Sequence, residues 1–161
     1  MKRMLFYGML FLVGACQALR PVTVEDRPYE KPLVDKSLRY KIVEDGKSCI
    51  GSPYKYAGKD RRGFDCSGFT SYVMKQNGIT ISSSSKTQAT NGRKIAVSQV
   101  EPGDLIFFGN SGKVSHVALV VSNTKEGIKV VHSTSSKGVI LQNISTSNYW
   151  KPRILFARSV I

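Results

Sequence analysis

A chain of 161 residues without an internal repeat has room for one ordinary domain and too little for two. Hydrophobic residues at 41% and charged residues at 22%, with 14 Gly and 6 Pro, exclude a disordered, collagen-like or coiled-coil chain. Three Cys are too few for a disulfide scaffold. A formal charge of +13 and a pI near 9.9 favour an anionic partner, whether nucleic acid, phospholipid surface or acidic polymer.

The chain opens Met1-Lys2-Arg3 and then runs uncharged and largely apolar from Met4 to Ala15. That run is shorter than the roughly 20 residues a membrane-spanning helix needs, and a basic start before it indicates a secretory signal over residues 1–15. Val13-Gly14-Ala15-Cys16 closes it and resembles the lipobox of bacterial lipoproteins. The resemblance implies cleavage before Cys16 and diacylation of its thiol; a plain signal peptide cut near Ala15 is the alternative. Export argues against nucleic acid as a partner. It directs the basic surface toward lipid headgroups or an anionic cell wall, unless the charge serves solubility alone. Residues 16–34 carry Pro21, Pro28 and Pro32 among mixed charges without helical or strand period. They are expected to be a tether of about 17 residues reaching roughly 55 Å.

The domain is expected over residues 35–161. Ile42, Gly46, Cys49 and Ile50 share one face of a helix that Gly51 can end. From Asp65 the helical spacing returns, with Phe69, Tyr72, Val73 and Gln76 on one face and Gly78 at the end. A short helix is expected over Ser85–Asn91, closed by Gly92. After Pro102-Gly103 the pattern changes to strands at Asp104–Gly109, His116–Asn123, Ile128–Thr134, Val139–Ser145 and Ile154–Ile161. Helices first and antiparallel strands afterwards predict an α+β fold.

Asp65-Cys66-Ser67-Gly68 puts Cys66 in the first turn of its helix, where free N–H groups and the helix dipole stabilise a thiolate. Asp65 can cap that helix, and Gly68 permits close approach of another backbone. A nucleophilic thiolate needs an imidazole beside it, and the chain has only two His. A hairpin turning around Thr124-Lys125-Glu126 would place His116 opposite His132 on one face, where His132 could orient the His116 ring. The residue types alone leave this level with a buried core thiol and two structural histidines. A zinc site lacks CxxC or HxxxH spacing. Cys49 belongs to the core, although a Cys49–Cys66 disulfide would be possible after export.

Five strings in order tip that balance: Gly51-Ser52-Pro53-Tyr54-Lys55-Tyr56-Ala57-Gly58, Gly63-Phe64-Asp65-Cys66-Ser67-Gly68-Phe69, Pro102-Gly103-Asp104-Leu105-Ile106-Phe107-Phe108, His116-Val117 and Tyr149-Trp150. Together they resemble the NlpC-type family of papain-like cell-wall cysteine peptidases, from about Ile42 to Ile161. The resemblance implies N-terminal helices packed on an antiparallel sheet of five to six strands. It also implies Cys66 as nucleophile, His116 as base, His132 as the orienting residue and Tyr54 at the oxyanion site. Asp65 and Ser67 would contact the substrate backbone or amine. Two departures stand out: Ala57 replaces a usual Gly, and Ser82-Ser83 replace a usual Pro-Arg.

The function expected from this resemblance is hydrolysis of peptidoglycan stem peptides by a lipid-anchored cysteine peptidase, without cofactor or metal. The alternatives are an inactive wall-binding module, or an amidase or acyltransferase using the same triad. A short polar tether before the domain predicts a groove open at both ends. That suits an endopeptidase cutting the D-Glu to diamino-acid bond or the D-Ala to diamino-acid cross-link. Gln17 after Cys16 predicts an outer-membrane anchor facing the periplasm in a source with two membranes. The oligomeric state is open, with a monomer as the default.

Overall fold

The computed structural model describes residues 33–161; the signal segment, Cys16 and nearly all of the tether lie outside the described residues. Among the described residues no helix is long and apolar enough to cross a membrane. The first helix, α1, spans Leu33–Lys47, so it begins two residues before the expected domain boundary. It stops short of Gly51 because Cys49 N and Ile50 N donate to carbonyls only three residues back, at Gly46 and Lys47. Cys49 is thereby fully buried in the core, while Ile50, expected on the same face, is 46% exposed.

A two-strand hairpin follows, β1 Lys59–Asp60 and β2 Gly63–Phe64. Next come α2, Cys66–Gln76, and a single-turn α3, Ser85–Gln88. Phe69, Val73 and Met74 bury the inner face of α2, and Gln76 in its last turn is exposed. There Asn77 turns the chain away, its Nδ2 donating to Val73 O and to Asp45 Oδ2 of α1. The helix expected over Ser85–Asn91 is shorter because Thr90 and Asn91 tighten into three-residue turns.

The main sheet has six antiparallel strands in the order β3-β8-β4-β5-β6-β7: β3 Arg93–Ile95, β4 Leu105–Asn110, β5 Lys113–Thr124, β6 Gly127–Thr134, β7 Gly138–Asn143 and β8 Ile154–Ser159. The architecture is α+β. Phe107, Val117, Leu119 and Val131 face the helices, with Ile42, Phe69 and Val73 packed against them. Ile106, Ala118, Val120 and Val130 build a second apolar cluster on the opposite face. Burial of both faces explains why Leu105-Ile106-Phe107-Phe108 is an unbroken apolar run. Truncating Phe69 to Ala would cost roughly 3–5 kcal/mol.

Two contacts dock α1. A Cβ on Gly46 would lie 2.6 Å from Leu119 Cδ2, so the absent side chain lets the helix lie directly on β5. Arg39 is buried and bonds Asp104 Oδ1 and Pro102 O, each at 2.9 Å, so the Pro102-Gly103-Asp104 string holds the helix to the sheet.

The β5–β6 hairpin differs from expectation. Thr124 pairs with Gly127 across a two-residue loop, Lys125-Glu126, and a bulge lies between Val120 and Ser122. The ladder then reaches Val120–Val130 and Leu119–Val131, where it ends. Continued from there, His132 would oppose Ala118, not His116. The shift is two positions, an even number, so both imidazoles stay on one face.

Candidate active site

Where the β5–β6 ladder ends, the N-terminus of α2 comes up against Val117. Asp65 caps that helix, its Oδ1 accepting from Gly68 N at 2.6 Å and from Ser67 Oγ at 3.0 Å. Asp65 N in turn donates to Gly58 O at 3.1 Å. A Cβ on Gly68 would lie 1.9 Å from that same Gly58 carbonyl, so only glycine lets the Tyr54 loop pack on the helix start. The motif glycines thus bring Tyr54 and Cys66 to one cleft.

That cleft has a volume of about 530 Å³ and is lined by Tyr54, Cys66, His116, Gln142, Trp150 and Arg153, among others. Burial pushes the Cys66 thiol above its ordinary pKa, and the backbone N–H groups of Val117, Ser67 and Cys66 itself pull it back down. The expected stabilisation by the helix start is therefore present but does not prevail over desolvation. Cys66 and Cys49 are both free thiols, with no disulfide between them.

His116 Nε2 lies 2.9 Å from His132 Nδ1, and His132 Nε2 lies 3.1 Å from Gln142 Oε1. The Gln142 carbonyl can only accept, so His132 carries its proton on Nε2 and accepts at Nδ1. His116 then carries its proton on Nε2, which leaves Nδ1 with a free lone pair. Trp150 stacks on the His116 ring at 4.5 Å between centroids and meets His132 edge-on at 5.0 Å. Burial lowers the His116 pKa to about 3, with His132 adding to the fall, and burial lowers His132 to about 4. Both rings are neutral near pH 7. The set can accept a thiol proton at His116 and stabilise the imidazolium through His132.

Tyr54 is 38% exposed at the cleft wall and is fixed by a bridge to Phe64. Its hydroxyl pKa is raised by desolvation, with Asp65 and Cys66 adding to the rise, so it remains a hydrogen-bond donor. Asp65 and Ser67 are outside the cleft lining. The Asp65 carboxylate is occupied by capping, and Ser67 is buried with its hydroxyl turned onto Asp65.

Sequence reasoning passed over two kinds of residue here. Gln142 ends the apolar run Val139-Ile140-Leu141 and is followed by a second amide, Asn143, a break in pattern that marks the position but does not single it out. Gln88 is fully buried and donates to Ser67 O and Ser82 O while accepting from Thr70 Oγ1, tying α2 to the Ser82 loop. Nothing local in the sequence signals that role.

The profile of the NlpC/P60 family matches residues 51–159, which hold Tyr54, Cys66, His116 and His132. The chain belongs to the NlpC/P60 family. It is 34% identical over 117 residues to a Listeria grayi protein named "Probable endopeptidase p60", covering 73% of this chain and 22% of that one. It is 36% identical over 112 residues to the gamma-D-glutamyl-L-lysine dipeptidyl-peptidase of Bacillus cereus, covering 67% and 32% respectively. The chain therefore spans a quarter to a third, or less, of these relatives' lengths. The crystal structure of the NlpC/p60 domain of peptidoglycan hydrolase SagA superposes with a TM-score of 0.65 at 35% identity, over 75% of this chain and 97% of that domain.

Proposed function

We propose that this NlpC/P60 chain is a lipid-anchored cysteine peptidase that hydrolyses peptidoglycan stem peptides. Cys66 is the nucleophile, His116 the general base and acid, and His132 the residue that orients His116. The observation that carries the reading is the side-chain series Gln142–His132–His116, which leaves His116 Nδ1 basic in a cleft shared with a free thiol.

The thiol gives its proton to His116 as sulfur attacks the amide carbonyl. The oxyanion takes hydrogen bonds from the Cys66 N–H and the Tyr54 hydroxyl. His116 then passes the proton to the departing amine and a thioester remains on Cys66. Water, deprotonated by His116, opens the thioester to a carboxylic acid and restores the thiol. The neutral imidazole suits this sequence, because the proton arrives only as the thiol attacks.

The bond proposed is the D-Glu to diamino-acid linkage or the D-Ala to diamino-acid cross-link, cut within the wall. The gamma-D-glutamyl specificity in the name of the Bacillus cereus relative favours the first. Incubation with cross-linked sacculi and with free L-Ala-D-Glu-diaminopimelate, followed by mass analysis, tests this. Release of peptides from sacculi is the expected result. Cleavage of the free tripeptide alone would instead mean a recycling dipeptidyl-peptidase.

The anchor is proposed at Cys16, on the Gly14-Ala15-Cys16 string after the apolar run. With Cys16→Ser, supplied palmitate should no longer label the protein; persistent label would mean another acyl site. In a source with two membranes, Gln17 directs the lipoprotein to the outer membrane, and recovery only with the inner membrane would contradict this.

A further inference from the structure

The cleft lining carries two cations, Arg153 and Lys137, and no carboxylate. They come from different elements. Lys137 is in the β6–β7 turn, which packs on the Tyr54 loop through Val139 N to Ser52 O and Gly51 N to Val139 O. Arg153 follows Trp150 in the short turn Lys151–Arg153, on the side of His116.

Arg153 is held in one orientation. Its guanidinium lies 4.0 Å over the Tyr149 ring, and its Nη1 donates to Tyr149 O at 2.6 Å. Tyr149 meets Trp150 edge-on at 4.9 Å, and Trp150 stacks on His116. A series of rings therefore ties this cation to the base that protonates the departing amine. Among the described residues no carboxylate pairs with Arg153, and its Nε and Nη2 donate to none of them. A fixed, half-buried guanidinium with an open donor edge is suited to bidentate capture of a carboxylate.

We propose that Arg153 binds a free carboxylate on the leaving-group side of the scissile bond, one carried by the diamino-acid residue that departs as the amine. The inference rests on the peptidase reading for which group departs.

Binding tests it apart from turnover. The Cys66→Ala chain and its Arg153→Gln derivative are titrated, by Trp150 fluorescence or calorimetry, with L-Ala-D-Glu-diaminopimelate and its two mono-amides. Each mono-amide blocks one of the two diaminopimelate carboxylates. The expected result is that at least one mono-amide binds the Arg153 protein about tenfold more weakly than the free acid. Arg153→Gln should weaken the free acid to the level of that amide and leave the amide unchanged. A fold defect would weaken all three peptides together, so the ratio isolates the contact. Equal binding of the three peptides by the Arg153 protein, or a preference that survives Arg153→Gln, would overturn the proposal. If the wild-type chain cuts neither sacculi nor peptide while the ratio behaves as expected, the peptidase reading fails and the carboxylate site stands.

Discussion

His116 Nε2 and His132 Nδ1 are 2.9 Å apart, although the two residues are not partners across the β5–β6 ladder. They meet diagonally where the ladder has ended, and Gln142 from β7 closes the series at 3.1 Å from His132 Nε2. Direction of donation along the three side chains is then fixed from the Gln142 end, because its carbonyl oxygen cannot donate.

Gln142 should therefore be a positioning residue with a measurable signature. Gln142→Ala frees the His132 ring to reverse, and kcat/KM should fall about tenfold, or about 1.4 kcal/mol. Gln142→Glu keeps an acceptor and should restore most of the rate. His132→Ala should lose more than Gln142→Ala and less than His116→Ala, for which a loss on the order of 10³–10⁴ is expected. No rescue by Glu, or a larger loss at His132 than at His116, would reverse these assignments.

The directions of the two shifts favour a neutral thiol and a neutral imidazole at rest over an ion pair. Burial raises the Cys66 pKa, and burial with His132 lowers that of His116 to about 3. Labelling of Cys66 by iodoacetamide should rise with pH through the neutral range and beyond 9, following the thiolate fraction. A rate that is already flat from pH 4 to pH 8 would show a preformed thiolate–imidazolium pair instead.

The same two histidines should set an acid-side loss of stability. Folded, they protonate near pH 3 and pH 4; unfolded, near the ordinary 6.5. The unfolded chain thus binds more protons between those limits, so their contribution is complete above pH 6.5 and declines as pH falls. The slope is about 1.4 kcal/mol per pH unit for each histidine across that window. Urea midpoints between pH 7 and pH 5 should fall less steeply for His132→Gln than for the native chain. Parallel slopes would mean that His132 titrates normally in the folded protein.

Much of this was legible in the sequence because the deciding patterns are local. Asp65 before Cys66 and Gly68 after it form a cap and a contact point within four residues, and both are found as expected. The strands from β4 to β8 were visible through their apolar runs. What escaped depends on partners distant in the chain. Arg93-Lys94-Ile95 forms edge strand β3 only because β8 is there to pair with it, and its charged side chains face solvent. The histidine register differs by two because the turn closes at Lys125-Glu126, three positions from the expected pairing, and the bulge between Val120 and Ser122 takes one back; neither leaves a mark in the sequence. Gln142 and Arg153 acquire their meaning from Trp150 and His132, which the fold alone brings near.

Ala57 is the departure from the family pattern with a direct physical consequence. It sits at φ 54°, in the left-handed region, and is exposed. A side chain there costs about 1–2 kcal/mol, part of which glycine's greater freedom in the unfolded chain offsets. Ala57→Gly should stabilise the domain by about 1 kcal/mol in urea unfolding. An unchanged or lowered midpoint would mean that the loop relaxes to avoid the strain.

The central claim is that the Cys66 thiol performs the chemistry. The measurement is digestion of cross-linked sacculi by the native chain and by Cys66→Ala at equal concentration, with released peptides quantified by mass and both proteins unfolded in urea. Cys66→Ala should lose at least about 10³-fold in rate while its stability stays within about 1 kcal/mol, since a helix N-terminus accepts alanine and only a thiol is lost. A Cys66→Ala chain that still releases a large fraction of the native yield would contradict the account.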